Sequence, residues 1–158
     1  MTVDGDDVVI RRNFNCSKRI LFEAWSQPSI MAKWLFARRE DFCEATVSNS
    51  FTVGGSYSII MHLPTNDVRL FGEYTAITRY NRIAFTWSSP VLRNSLVELA
   101  FLELSPNRTQ FTLTHTLFPS DEIRGQHSDG WQACLDNLEL RVLSNVSAME
   151  QLRSIAEE

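Results

Sequence analysis

The sequence is poor in cysteine, glycine and proline, and each shortage argues against a class of protein. Its three cysteines, Cys16, Cys43 and Cys134, are far apart and form no CxxC pair. Neither a disulfide framework nor a zinc knuckle is therefore indicated. Six glycines and five prolines are too few for a collagen-like or low-complexity chain. With 44% apolar and 22% charged residues, the composition is typical of a globular protein.

An excess of positive charge and long apolar runs are also missing. The formal net charge of -4 gives no long-range attraction to nucleic acid or anionic lipid, so neither is expected as a partner. Residues 1–7 lack the features of a secretion signal, and no apolar run approaches the length that crosses a bilayer. We therefore expect a cytoplasmic protein without membrane insertion. One domain is expected over residues 1–158, with a core at about 8–146 and frayed ends.

The hydrophobic periodicity of the first three quarters of the chain predicts a strand, two short helices and six more strands. Residues 7–14 have strand character, Ser17 is a candidate N-cap for the first helix, and Pro28 marks the start of the second. From about residue 41 to 118 apolar and polar residues alternate between turn signals. Six strands with short connections indicate an antiparallel meander.

A helical period returns after Pro119. It predicts a long helix over about Asp121–Ser154, with Gly125 or Gly130 as candidate breaks. Together these elements fit an α+β arrangement in which the sheet wraps around the last helix. Alternation along the strands predicts the inward-facing side chains Tyr57, Ile59, Met61, Ile83, Phe85, Trp87, Val97, Leu99, Phe101, Phe111, Leu113, His115 and Leu117.

The stretch "HSDGWQACLDNLELRVL", residues 127–143, gathers residue types found in metal and catalytic sites. On a helix, Asp136 lies about 140° and Asp129 about 160° from Trp131, whereas Cys134 lies within about 60° of it. Both carboxylates therefore point away from the thiol, and only His127 could approach it. Too few ligands converge for a metal, and Cys134 is predicted to be a small buried hydrophobe.

Trp131 and His115 are the two residues for which packing and function compete. Trp131 is either an ordinary core residue or a cavity wall whose indole N–H meets a guest molecule. His115 is either an acid or base, or, as we prefer, a histidine satisfied by a protein hydrogen bond. No partner for a nucleophile and base pair can be placed beside His115 from the sequence, so no catalytic residue is assigned. No metal and no cofactor are assigned either.

Two further predictions depend on local geometry. Gly72 is a candidate β-bulge, which would turn Glu73 into the cavity; without the bulge Glu73 is a solvated charge and Tyr74 faces inward. Leu140 and Leu143 lie about 180° and 120° from Trp131 on a regular helix and would be exposed in a monomer. A homodimer contact could cover them.

Five stretches together resemble the START-like (SRPBCC) superfamily, and within it the family named after the heat-shock-protein ATPase activator. They are "CSKRILFEAWSQPSIMAKWL", "FTVGGSY", "FGEYTAITRYNRIAFTW", "RTQFTLTHTLF" and "GWQACLDNLELRV". The resemblance implies a helix-grip fold, in which a curved antiparallel sheet of six to seven strands grips the long C-terminal helix. It also implies a deep cavity between sheet and helix that holds apolar molecules.

Binding of a small apolar or aromatic ligand in that cavity is the leading functional expectation. The resemblance also allows a chaperone-associated module that stimulates a heat-shock-protein ATPase, or an enzyme of the cyclase or dehydratase kind. Since 158 residues leave no room for the separate N-terminal domain of the eukaryotic co-chaperones, ligand binding is preferred. The predicted cavity lining is Trp34, Tyr57, Ile59, Met61, Tyr74, Phe85, Trp87, Leu99, Phe101, Leu113, His115, Trp131, Leu135 and Leu138.

Overall fold

A seven-stranded antiparallel sheet and three helices make up the computed structural model, which describes residues 7–37 and 43–144. The predicted continuation of the last helix to Ser154 lies outside these residues. The elements in chain order are β1 Val8–Phe14, α1 Lys18–Ala24, α2 Pro28–Trp34, β2 Thr46–Asn49, β3 Ser56–His62, β4 Asp67–Thr78, β5 Arg82–Ser89, β6 Leu92–Ser105, β7 Arg108–Thr116 and α3 Asp121–Asn137, which continues as a π-helical segment, Leu138–Leu143.

The strand order is β1-β7-β6-β5-β4-β3-β2, so β1 and β2 lie at opposite edges of the sheet although they follow one another in the chain. β1 pairs with β7 at one edge, and α1 and α2 carry the chain to the other edge, where β2 begins the meander back. The predicted caps are confirmed, because Ser17 accepts a hydrogen bond from the Ile20 amide and Pro28 is the first residue of α2. The α+β helix-grip prediction is likewise confirmed.

The predicted inward face of the sheet is buried against the helices, except that Met61 is half-buried. The inward prediction for Leu117 is wrong, because this residue follows the end of β7 with a φ of +71° and is 66% exposed. Ile83, Val97, Leu99, Phe111 and Leu113 are completely inaccessible to solvent. α1 lies on β6 and β7, and α3 lies against β1 and α2. A contact between Arg12 on β1 and Asp136 on α3, 2.9 Å from nitrogen to oxygen, joins the edge strand to the helix.

Glu73 is a solvated charge rather than a cavity carboxylate. The register shift between β4 and β5 occurs between Tyr74 and Ala76, after Glu73 rather than at Gly72. Alternation is therefore intact from Leu70 to Tyr74, which leaves Glu73 exposed and Tyr74 buried. Gly72 has a different role, because a Cβ there would lie 1.9 Å from the Thr86 carbonyl oxygen.

The last helix differs from the sequence predictions in two respects, its continuity and the burial of Leu143. α3 runs without a break through Gly125 and Gly130. Leu143 is buried, with 5% of its surface exposed, whereas Leu140 is 56% exposed. The cause is the π-helical segment, whose wider turn changes the directions of the side chains, so Leu138 and Leu143 are both buried. The predicted exposure of Leu143 is therefore wrong, and of the two leucines only Leu140 is free to take part in the predicted dimer contact.

Candidate functional site

The interior between the sheet and the helices is almost filled by side chains. A gap among them, which we call the inner void, measures about 10 Å³, the space of about one water molecule. Its wall consists of Trp25, Met31, Leu35, Tyr57, Ile59, Tyr74, Phe85, Trp87 and Trp131. The inner void is therefore too small to be the deep cavity that the resemblance implies.

Large aromatic rings fill the space. The ring centroids of Trp87 and Trp131 are 4.9 Å apart, and those of Trp25 and Trp34 are 4.6 Å apart. Tyr57 lies 5.5 Å from Tyr74, centroid to centroid. Burial raises the pKa of both tyrosines, so they remain neutral phenols.

His115 lies in the middle of a continuous chain of hydrogen bonds that runs from Trp131 to the Trp87 carbonyl. The indole nitrogen of Trp131 donates to His115 Nδ1 over 3.0 Å. Because an indole nitrogen only donates, Nδ1 is the acceptor and the proton of the neutral ring is on Nε2. Nε2 then donates to Ser95 Oγ over 2.8 Å, and Ser95 donates to the Trp87 carbonyl over 2.8 Å.

This arrangement is that of a satisfied structural histidine. Both ring nitrogens are occupied by protein groups, and the residue is completely buried. The lone pair that would act as a base is used by Trp131, and Ser95 faces the N–H side of the ring. Burial and the nearby His127 lower the pKa of His115 to about 3. The geometry therefore gives no support to His115 as an acid, a base or an activator of Ser95.

A larger and accessible space adjoins the inner void at one end of the sheet, and we call it the outer cleft. It has a volume of about 300 Å³, at the lower limit of ligand pockets. The end of β3, the start of β4, the β5–β6 turn and the first half of α3 form its sides. Its lining residues are Phe36, Met61, Val68, Leu70, Trp87, Ser89, Pro90, Val91, Gln126, His127 and Gly130.

His127 is the one titratable side chain that lines the outer cleft within the described chain. Its Nδ1 lies 2.9 Å from the Ile123 carbonyl oxygen, so Nδ1 must donate. Burial lowers the pKa of His127, although this hydrogen bond partly opposes the shift. In the resulting neutral tautomer Nε2 is an acceptor, and no described residue bonds to it.

Phe36 stands between the outer cleft and the inner void. It lines the cleft, and its ring is 5.7 Å from Trp87 and 5.5 Å from Trp131, both of which line the void. Its backbone N–H donates to Cys134 Sγ over 3.3 Å. Burial raises the pKa of Cys134 to about 12, so this thiol is a neutral packing group, as its helical position predicts.

The predicted lining residues divide between these two spaces and the packed core. Six line the inner void, namely Tyr57, Ile59, Tyr74, Phe85, Trp87 and Trp131. Met61 lines the outer cleft, as Trp87 also does. The other seven are buried and line neither space: Trp34, Leu99, Phe101, Leu113, His115, Leu135 and Leu138.

Sequence reasoning missed most of the outer cleft. Val68 and Leu70 could have been found, because they continue the inward alternation of Tyr74 along β4. Phe36 and His127 gave no such signal, since one lies between elements and the other on the first half of a helix.

Two absences apply to the described chain alone. Within residues 7–37 and 43–144, no three His, Cys, Asp or Glu side chains are grouped so that they could hold a metal ion. Over those same ranges, no helix is both long enough and apolar enough to cross a membrane.

Comparison with known families decides the relationship of this chain to other proteins. Residues 15–142 match the family described as "Activator of Hsp90 ATPase homolog 1-like protein". This chain belongs to that family. The predicted START-like (SRPBCC) relationship is thereby confirmed, and members of the family bind hydrophobic ligands or activate the Hsp90 ATPase. A search of curated proteins finds no match.

Solved structures of family-like proteins share the fold. An HSP90 activator from Plasmodium falciparum is 22% identical, with a TM-score of 0.68, over 85% of this chain and 94% of its own. A protein from Nitrosomonas europaea is 18% identical, with a TM-score of 0.73, over 91% and 97%. A protein from Rhizobium leguminosarum is 26% identical, with a TM-score of 0.65, over 85% and 91%.

Proposed function

We propose that this family member binds a small, uncharged, apolar molecule in the outer cleft. The observation that carries the proposal is the contrast in volume, about 300 Å³ in the cleft against about 10 Å³ in the inner void. Apolar walls around such a space favour a guest whose transfer removes apolar surface from water. Val91 adds to this, since it is 57% exposed and belongs to the cleft wall.

The charge of the lining supports an uncharged guest. None of the described lining residues is Asp, Glu, Lys or Arg, and the lowered pKa of His127 favours its neutral form. A carboxylate or ammonium group in the cleft would lose hydration without gaining an opposite charge. A neutral molecule has no such cost.

A hydroxyl group on the guest would match the polar part of the cleft. His127 Nε2 accepts a hydrogen bond in the tautomer fixed by the Ile123 carbonyl. A phenol or alcohol supplies the donor that this nitrogen lacks among the described residues. Such a neutral bond contributes about 0.5–1.5 kcal/mol, which is about two- to twelvefold in affinity. 2-Naphthol is therefore a suitable probe and naphthalene its matched control.

Calorimetric titration of 2-naphthol into two charge-matched variants tests the proposal. Val91→Glu places a carboxylate in the cleft wall, whereas Val9→Glu makes the same change on β1 at a residue of similar exposure, 59% against 57%. We expect Val91→Glu to weaken binding at least about tenfold, because the guest would desolvate the carboxylate. Val9→Glu should bind like the wild type.

Equal affinities for the wild type and Val91→Glu would contradict the outer cleft as the binding site. Naphthalene should bind the wild type about two- to twelvefold more weakly than 2-naphthol. Equal binding of the two probes would remove the role assigned to His127 while leaving the apolar site in place.

A second candidate function is activation of an Hsp90-type ATPase. It is favoured by the family match over residues 15–142 and by the Plasmodium falciparum relative, which is described as an HSP90 activator. Purified chain added to a purified Hsp90 should then raise the rate of ATP hydrolysis in proportion to complex formation. An unchanged rate at saturating concentration, with no complex in analytical ultracentrifugation, would eliminate this candidate.

A further inference from the structure

The Phe36 ring occupies the boundary between the outer cleft and the inner void. It lies against Trp87, which lines both spaces, and against Trp131, which lines the void. On its other side is α3, where a Cβ added at Gly130 would be 3.5 Å from Phe36 Cε1. The ring is thus packed between a strand residue and a helix residue, and it is half-buried.

The backbone of Phe36 is held in an uncommon conformation. Its φ is +52°, in the left-handed region that bulky residues rarely adopt. Two side chains of α3 hold the segment: Cys134 Sγ accepts from the Phe36 amide, and Asn137 Nδ2 donates to the Ala37 carbonyl over 3.2 Å. Such a conformation persists only where its surroundings fix it, and it is found most often at ligand clamps and switch regions.

The space behind the ring is suited to the same kind of guest. The walls of the inner void are apolar apart from the tips of aromatic residues. Two of them, Trp25 and Trp87, have buried indole N–H groups without a hydrogen-bond partner among the described residues. A buried donor without a partner is costly, and an oxygen atom of a guest would relieve that cost.

We propose that the Phe36 side chain separates the outer cleft from the inner void and so limits how deep a ligand can enter. Phe36 is then the residue that sets the maximum length of the ligand. The proposal rests on the proposed function for its ligand, but the separation of the two spaces is a property of the protein itself. Both parts can be tested.

Primary alcohols from butanol to decanol measure the depth of the site. Each methylene that enters an apolar site strengthens binding about fourfold. In the wild type we expect the affinity to rise with chain length and then level off when the cleft is full. In Phe36→Ala the rise should continue for at least two more methylenes. Phe71→Ala removes a half-buried phenylalanine that faces away from the interior, and it should level off with the wild type.

A Phe36→Ala variant that folds and levels off at the wild-type length would overturn the proposal. Urea unfolding establishes whether the variant is folded. Phe36→Leu takes its place if it is not, with an extension of at least one methylene expected. If the wild type binds none of the alcohols, the proposed function fails.

Xenon tests the separation without any organic ligand. A void of about 10 Å³ is too small to hold a xenon atom, whereas apolar cavities opened by mutation bind xenon. Crystals of Phe36→Ala under xenon pressure should show an atom in the space vacated by the Phe36 ring, next to Trp87 and Trp131, and wild-type crystals should show none there. Collapse of the neighbouring side chains with no xenon site in the variant would contradict the separating role.

Discussion

The inner void and the outer cleft lie next to one another on the same face of the sheet, yet they differ in nearly every physical property. Trp87 lines both. Around the void, large rings touch one another, and the buried indole N–H groups of Trp25 and Trp87 have no hydrogen-bond partner among the described residues. In the cleft about 300 Å³ is accessible, and His127 has a nitrogen that no described residue uses.

This difference shows that burial of aromatic residues does not by itself indicate a ligand cavity. The interior has the composition expected of a ligand site, but its rings fill the space they enclose. Well-packed aromatic side chains stabilise the fold, whereas a site requires unoccupied volume and polar atoms without protein partners. Substitutions in the interior are therefore expected to change the free energy of unfolding strongly, and substitutions in the cleft only slightly.

The largest effect is expected from Trp131→Ala. The change removes a completely buried ring and also leaves His115 Nδ1 without its donor. We expect the free energy of unfolding to fall by at least about 4 kcal/mol, as measured by urea denaturation. Val91→Ala, in the wall of the cleft, should change it by less than about 0.5 kcal/mol. A small loss for Trp131→Ala would show that the interior is less tightly packed than described.

The second-largest effect is expected from His115, and it should appear in the pH dependence of the free energy of unfolding. Its pKa is about 3 in the folded protein against the ordinary value of 6.5, so below about pH 6.5 the unfolded chain binds the proton more readily. Stability contributed by His115 is therefore complete above pH 6.5 and is lost as the pH falls toward 3. Between pH 7.5 and 4.5 the wild type should lose roughly 2–3 kcal/mol more than His115→Leu.

The carboxylates are present in both proteins, so their titration cancels in that difference. Parallel pH profiles for the wild type and His115→Leu would show that His115 is not held neutral by burial.

The smallest effect is expected from Gly130→Ala at the side of the outer cleft. An added Cβ would make an ordinary contact of 3.5 Å with Phe36, and alanine is the better helix former. We expect the free energy of unfolding to rise by up to about 1 kcal/mol in thermal or urea denaturation. Destabilisation would mean that the Phe36 ring is pressed more closely against α3 than the structure indicates.

Regular patterns in the sequence were sufficient for the α+β arrangement and for most of the inward face of the sheet, and the family resemblance added the helix-grip fold. Alternation identified Phe85, Leu99 and Leu113, and the capping role of Ser17 followed from its side chain and position. These features depend on neighbours a few residues away, and local physical rules describe them well.

The features that escaped prediction depend on contacts between distant parts of the chain. The outer cleft combines five separate segments, and Phe36 owes its position to Cys134, which is 98 residues away. The π-helical segment that buries Leu143 has no clear sequence signature. The volume of the inner void is the small difference between the space that the fold encloses and the total volume of the side chains that fill it. No residue pattern reveals such a difference.

A crystal structure of the complex with 2-naphthol tests the central claim most directly. We expect the ring to lie in the outer cleft in contact with Val68 and Val91, with its hydroxyl oxygen about 3 Å from His127 Nε2. A naphthol ring found in the interior among Tyr57, Trp25 and Trp87, or bound only outside the cleft, would contradict the account.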